Sequence, residues 1–218
     1  MTVDLGVLIS GTGTNLAAIL DAIHAGALDA RVRLVVSNRA DAGGLERARA
    51  ARVPTRIVPH GDYPDRASFD AALVEALRAA SAEWVVLAGF MRLLTPAFLE
   101  AFPHRVVNIH PALLPAFPGV DGQAQALAYG VKIAGCTVHL VDAGTDTGPI
   151  VAQAAVPVLD DDTRETLRQR ILAREHQLLV EVLRWIAAGR VEVVPGTDGG
   201  RVRVRVHGAS AAFGVQMP

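Results

Sequence analysis

The chain has 218 residues, 51% of them hydrophobic, with a net charge of −1 and one cysteine. That length allows one ordinary domain with at most a small appendage, and the apolar content supplies a core and argues against disorder. The balanced charge gives no reason to expect a nucleic-acid partner, and the lone Cys136 excludes internal disulfides and a multi-cysteine metal site.

Strand-like apolar runs alternate with helix-period segments through the first half. "LGVLI" leads through "SGTGTN" to a helix from about Thr14, with Leu16, Ile19, Leu20 and Ile23 on one stripe and Gly26 closing it. "RLVVS", the helical "LERARAARV", "TRIVP" and a helix from about Arg66 carrying Phe69, Leu73 and Leu77 come next. "WVVLAG" and "VVNIH" complete the series. Continuous Val/Leu runs mark strands covered on both faces, and strict β/α alternation implies a doubly wound, mostly parallel, Rossmann-like α/β sheet in three layers. Ligands of such sheets sit beyond the carboxyl ends of the strands. That rim carries "SGTGTN", "GFMRLL" and "NIHP". Further on, "KIAGCTVHLV" and "PIVAQAAVPV" read as longer strands joined by "DAGTDTG". A long helix spans about Asp162 to Ala188, opened by an Asp162/Glu165 capping pattern. The tail from residue 191 reads as a short hairpin in which Arg201, Arg203 and Arg205 alternate with valines on a solvated face. The expected division is residues 1–190 as one domain, with one half over 1–100 and a second over 101–190, followed by the hairpin and tail over 191–218.

Four places carry chemistry. In "RVVNIHP", residues two apart share a strand face, so Asn108 and His110 point the same way, and Pro111 ends the ladder. "ISGTGTN" follows a strand and opens a helix, so its backbone N–H groups and the helix dipole favour a small phosphate; the alternative is a tight turn alone. It lacks the third glycine and the acidic ribose ligand of a dinucleotide site, and no Gly-Lys pair makes it a Walker loop. Glu175 falls in the middle of the inward stripe formed by Leu167, Ile171, Leu178, Val182 and Ile186. A buried carboxylate needs either a polar ligand or an arginine partner. Its neighbour His176 lies off the stripe, on the surface. In "VDAGTDTGP" the calcium-loop spacing fails for want of the terminal Glu, which leaves a turn projecting Asp142 and Asp146. The second of these is suited to orient an imidazole. His139, inside an apolar strand, reads as structural. No His/carboxylate cluster has metal spacing, so no metal is expected, and neither Ser10 nor Cys136 reads as a nucleophile.

In order along the chain, "ISGTGTN", "LAGFMRLL", "NIHPALLPAFPG", "GCTVHLVDAGTDTGPIVAQ" and "REHQLL" resemble the glycinamide ribonucleotide formyltransferase family of purine biosynthesis, from about Val3 to Arg190. The resemblance implies formyl transfer from 10-formyltetrahydrofolate to 5-phosphoribosylglycinamide, with Asn108, His110 and Asp146 as the catalytic trio. It implies that Thr12, Gly13, Thr14 and Asn15 hold the ribonucleotide phosphate and that Glu175 contacts its ribose side. It also implies folate contacts at Met91, Arg92, Leu93 and Leu94, with Arg66, Asn108 and Asp142 beside them. Several relatives carry a histidine where this chain has Asp121, which departs from the pattern in the Asp121 to Gln123 segment. A cytoplasmic enzyme acting on small molecules, as monomer or homodimer, with no nucleic-acid or membrane partner, is expected. A deformylase using water as acceptor and a non-enzymatic phosphosugar-binding module are the alternatives.

Overall fold

The structure, a computed structural model, describes residues 2–196 and 200–208. The chain divides into two compact units, Met1–Asn108 and Ile109–Pro218.

The first unit contains β1 (Val3–Ile9), α1 (Thr14–His24), β2 (Ala30–Ser37), α2 (Gly44–Ala50), β3 (Thr55–Ile57), α3 (Arg66–Ala79), β4 (Trp84–Leu87), α4 (Pro96–Ala101) and most of β5 (Val106–His110). Its strand order is β3-β2-β1-β4-β5, and each neighbouring pair is parallel. The apolar runs are continuous because both faces are covered: Leu5, Val7, Leu8 and Ile9 of β1 are all buried, as are Val85 and Val86 of β4. Fully burying one such side chain is worth about 1.5–3 kcal/mol. Leu16 and Ile19 of α1, and Phe69, Leu73 and Leu77 of α3, supply the helical side of this core. Asp65 caps α3 by accepting the Ser68 N–H at 2.7 Å, a contact worth about 1 kcal/mol. In register, Leu8 pairs with Leu87 and Leu87 with Asn108, so the ends of β1, β4 and β5 lie on one edge.

The second unit takes up the sheet at the last two residues of β5, with β6 (Ile133–Leu140) and β7 (Ile150–Pro157) next in strand order. β7 runs antiparallel to β6, with a register shift between Val138 and His139. The unit adds α5 (Gly122–Tyr129), α6 (Arg164–Ala187) and the antiparallel hairpin β8 (Val191–Val194) and β9 (Arg203–Val206). The expected mostly parallel α/β fold with a C-terminal hairpin is therefore present. The hairpin lies against β7, with Arg203 and Arg205 exposed. Arg201 donates to the Thr147 carbonyl at 2.7 Å. The expected tail beyond Gly208, and the hairpin turn at 197–199, fall outside the described residues.

The expected capping pattern of α6 is corrected by one residue. Thr163 is the N-cap and closes a capping box with Thr166. Asp162 instead binds Arg170 through contacts of 2.6 and 2.9 Å, and Glu165 pairs with Arg168. Asp162 also accepts the Leu159 N–H at 2.8 Å, so both carboxylates are engaged by partners other than the N–H groups of α6. Helices α4 and α5, with six and eight residues, have too little length for a visible apolar stripe.

Candidate active site

The loop between β1 and α1 is built by backbone. Gly13 takes the left-handed conformation at φ 71° as N-cap of α1, with no side chain capping the helix. The chain passes so close to α2 here that a Cβ on Gly13 would lie 2.5 Å from the Gly44 Cα. The Gly44 N–H donates to the Gly11 carbonyl at 3.1 Å, fixing that approach. The first intrahelical bond runs from Ala17 N–H to the Gly13 carbonyl. The first-turn N–H groups of a helix lie ahead of its i to i−4 ladder, and no acidic residue occupies the first turn of α1. That end of α1 presents partial positive charge suited to an anion. Arg47, unnoticed in the sequence, donates to the Thr12 carbonyl at 2.9 Å and sets a guanidinium beside the loop.

The loop after β4 is tied to the same edge. Ser10, buried, accepts the Met91 N–H at 2.9 Å and donates to Asn38 Oδ1 at 2.7 Å. This gives Ser10 a bracing task that its sequence context did not disclose. Met91 and Leu93 are exposed, whereas Leu94 is buried and packs inward. The Arg92 guanidinium sits 5.8 Å from the Phe69 ring centroid. At the far end of the loop the Thr95 N–H donates to the buried Asp70 at 2.6 Å. Arg66 stands exposed at the start of α3.

In the second unit a side-chain cluster forms at the end of β5. His110 is buried, at 4% exposure, with Nδ1 3.4 Å from Asp146 Oδ2 and Nε2 2.9 Å from the Phe117 carbonyl. Asp146 reaches it from a loop residue with φ 53°, and its Oδ2 also accepts the Gly119 N–H at 2.7 Å. Gly148 permits this loop, since a Cβ there would lie 1.8 Å from the Leu140 carbonyl oxygen. His139 was expected to be structural, yet its Nε2 lies 3.7 Å from Asp146 Oδ1. The segment following His110 is braced from β6 and β7. Thr137 donates to the Ala112 carbonyl at 2.6 Å and accepts the Leu114 N–H, and Gln153 donates to the Leu114 carbonyl.

The remaining candidates separate cleanly. Asp142 accepts from the Gly144 N–H and the Thr147 hydroxyl, binding its own turn. Glu175 is buried at 6% exposure, as its place on the stripe requires. Burial, with the Glu175 charge as a second cause, pushes the Cys136 thiol well above its usual range, which leaves it inert. His176 is half-buried and not on the surface, and burial lowers its pKa. The 24-residue α6 is covered over more than its apolar stripe. Asp121 stands before α5 at φ 62° and pairs with Arg164, which accounts for its carboxylate locally. Among the described residues no group of three or more His, Cys, Asp or Glu is arranged to hold a metal ion, and no helix is long and apolar enough to cross a membrane.

The sequence profile of a family described as formyl transferase matches residues 4–183. The phosphoribosylglycinamide formyltransferase of Mycobacterium tuberculosis is 52% identical over 193 residues, which is 88% of this chain and 89% of that protein. The trifunctional purine biosynthetic protein adenosine-3 of Drosophila pseudoobscura pseudoobscura is 47% identical over 192 residues, 87% of this chain. The chain spans only 14% of that relative's length. Among solved structures, glycinamide ribonucleotide transformylase 1 from Symbiobacterium toebii matches with a TM-score of 0.90 and 55% identity over 94% of each chain.

Proposed function

This chain belongs to the formyl transferase family, and we propose that it moves the formyl group of 10-formyltetrahydrofolate to the amine of 5-phosphoribosylglycinamide, giving formylglycinamide ribonucleotide and tetrahydrofolate. The observation that carries this reading is the buried His110–Asp146 pair at 3.4 Å, set two strand residues beyond Asn108. The attacking amine forms a bond to the formyl carbon and drives the carbonyl electrons onto oxygen. The Asn108 amide and the Nε2–H of a protonated His110 donate to that oxygen; this is the same hydrogen that the Phe117 carbonyl accepts in the structure. Asp146 keeps the imidazolium oriented. The carbon–N10 bond then breaks as N10 takes a proton and the amine loses one. A donor of this kind is worth about 10²–10³ in turnover, and acid–base help about 10²–10⁴.

In this reading Thr12 to Asn15 hold the phosphate, supported by the uncapped α1 terminus and Arg47, and Glu175 takes the ribose side. Met91 to Leu94, Arg66 and Asp142 serve the folate. The chain works in the cytoplasm on small molecules, as monomer or homodimer. The test mixes the protein with 10-formyltetrahydrofolate and follows tetrahydrofolate release with and without the ribonucleotide. Ribonucleotide-dependent turnover supports the reading. Equal rates without it identify water as the acceptor, and no turnover in either arm leaves a binding module.

A further inference from the structure

Asp70 breaks the pattern of its own helix. α3 turns Phe69, Leu73, Ala76 and Leu77 inward, and Asp70 is buried with them at 1% exposure. Among the described residues no cation pairs with its carboxyl group, and its one side-chain hydrogen bond is the 2.6 Å contact from the Thr95 N–H to Oδ2. Oδ1 is buried with no partner. Taking a carboxyl group out of water with one oxygen unsatisfied is unfavourable, and an apolar side chain in the same stripe would avoid that loss.

The other side of the contact is made the same way. Thr95 is the N-cap of α4, a place where a threonine hydroxyl ordinarily accepts a helix N–H, yet it forms no such cap. Its hydroxyl oxygen is buried and also without a partner. The junction therefore gives up stability on both sides, and departures of this kind mark places where geometry serves more than the fold. What the junction holds is the segment after β4. From Ala88 to Thr95 the chain is neither helix nor strand. The Ser10 hydroxyl accepts the Met91 N–H, Arg92 lies over the Phe69 ring, and Leu94 is buried just before Asp70 takes the Thr95 N–H. Between these fixed points Met91 and Leu93 stand out in solvent, at 69% and 53% exposure. A free loop gains by turning such side chains inward; this one is held at both ends and keeps them presented. Phe69 and Asp70 are consecutive on α3, so a single turn of that helix grips Arg92 and Thr95 together.

We propose that Asp70 is a positioning residue for the formyl donor: it latches the loop of residues 88–95 to α3 through the Thr95 N–H, so that Met91 and Leu93 stay where the donor's ring system meets them. The consequence for the donor rests on the formyl-transfer reading; the latch does not, and is measured on the protein by itself.

The first measurement is amide hydrogen exchange by NMR on the full chain. With Asp70 as its acceptor, the Thr95 amide is expected to exchange about tenfold more slowly than those of Arg92 and Leu93, or more slowly still. A Thr95 amide that exchanges as fast as they do overturns the proposal whatever reaction the protein catalyses, and this arm needs no variant that must fold. In Asp70→Ala, protection is lost at Thr95 and kept at Val85 and Val86 of β4. Equal loss at all three makes Asp70 a residue of the core alone and overturns the proposal. The second measurement is steady-state kinetics. Asp70→Ala is expected to raise the KM for 10-formyltetrahydrofolate about tenfold, with kcat and the ribonucleotide KM within about twofold of the parent. Asp70→Asn keeps an acceptor oxygen for the Thr95 N–H and is expected to restore the donor KM to within about threefold of the parent. An unchanged donor KM in the Ala variant, or one equally raised in both variants, overturns the proposal. Absence of turnover in the parent refutes the formyl-transfer reading and leaves the exchange measurement to decide the latch.

Discussion

The loop from Ser10 to Asn15 and the cluster of His110, Asp146 and His139 are built on opposite plans. In the loop no side chain caps the helix, and the shape at Gly13 is set by the absence of a Cβ, with Ser10 as a brace at its start. In the cluster, side chains from β5, β6 and the following loop meet one another, and backbone groups of Phe117, Gly119 and Leu140 hold them in place. A backbone-built site should therefore be damaged by adding atoms, and a side-chain-built site by removing them. The two losses should also fall on different kinetic constants.

The largest effect is expected in the cluster and its row. His110→Ala and Asn108→Ala should each lower kcat by about 10²–10³-fold, with the ribonucleotide KM nearly unchanged. Steady-state kinetics in both substrates checks this; a raised KM at intact kcat would show that these residues only bind. Next comes the loop. Gly13→Ala must hold an alanine at φ 71° with its methyl 2.5 Å from Gly44, a strain of about 1–3 kcal/mol. The ribonucleotide KM should rise about tenfold or more while saturated kcat holds. If kcat collapses instead, the two regions are not separable in the way drawn above.

A control outside both regions is Arg170→Met. Hydrogen bonding from Arg170 is the first cause holding the Asp162 carboxyl well below its usual range. The folded-state pKa is depressed, so the pair's contribution is complete above the ordinary aspartate value, near 3.9, and fades as pH falls below it. Urea unfolding should show a loss of roughly 1–3 kcal/mol at neutral pH, shrinking below about pH 4, with turnover unaffected. The smallest effect belongs to Ser10→Ala. It removes the acceptor of the Met91 N–H and should raise the KM for the formyl donor about fivefold, equivalent to about 1 kcal/mol.

What was legible in the sequence divides along the same line. The glycine loop could be read as a strand-to-helix turn because its determinants are contiguous: a strand, two glycines and a helix start within a few residues. The burial of Glu175 could be read because helical periodicity converts sequence spacing into direction. His139 could not be read as a neighbour of Asp146, because that contact depends on how the loop folds back over β6. Ser10 was hidden in the same way, since its partners Asn38 and Met91 come from the ends of β2 and β4. Helix α5 escaped notice because Asp121 precedes it in a left-handed conformation that no apolar pattern announces. The one-residue shift in the α6 cap goes with partners for Asp162 and Glu165 other than the α6 N–H groups, which the local capping rule does not weigh.

The bond from Arg201 to the Thr147 carbonyl ties the terminal hairpin to the residue next to Asp146. In the formyl-transfer reading, that bond joins the hairpin to the loop that carries the proposed orienting carboxylate. Trimming the chain ahead of Arg201 removes that bond, and in the same reading turnover is expected to change although no residue of the His110–Asp146 pair is touched.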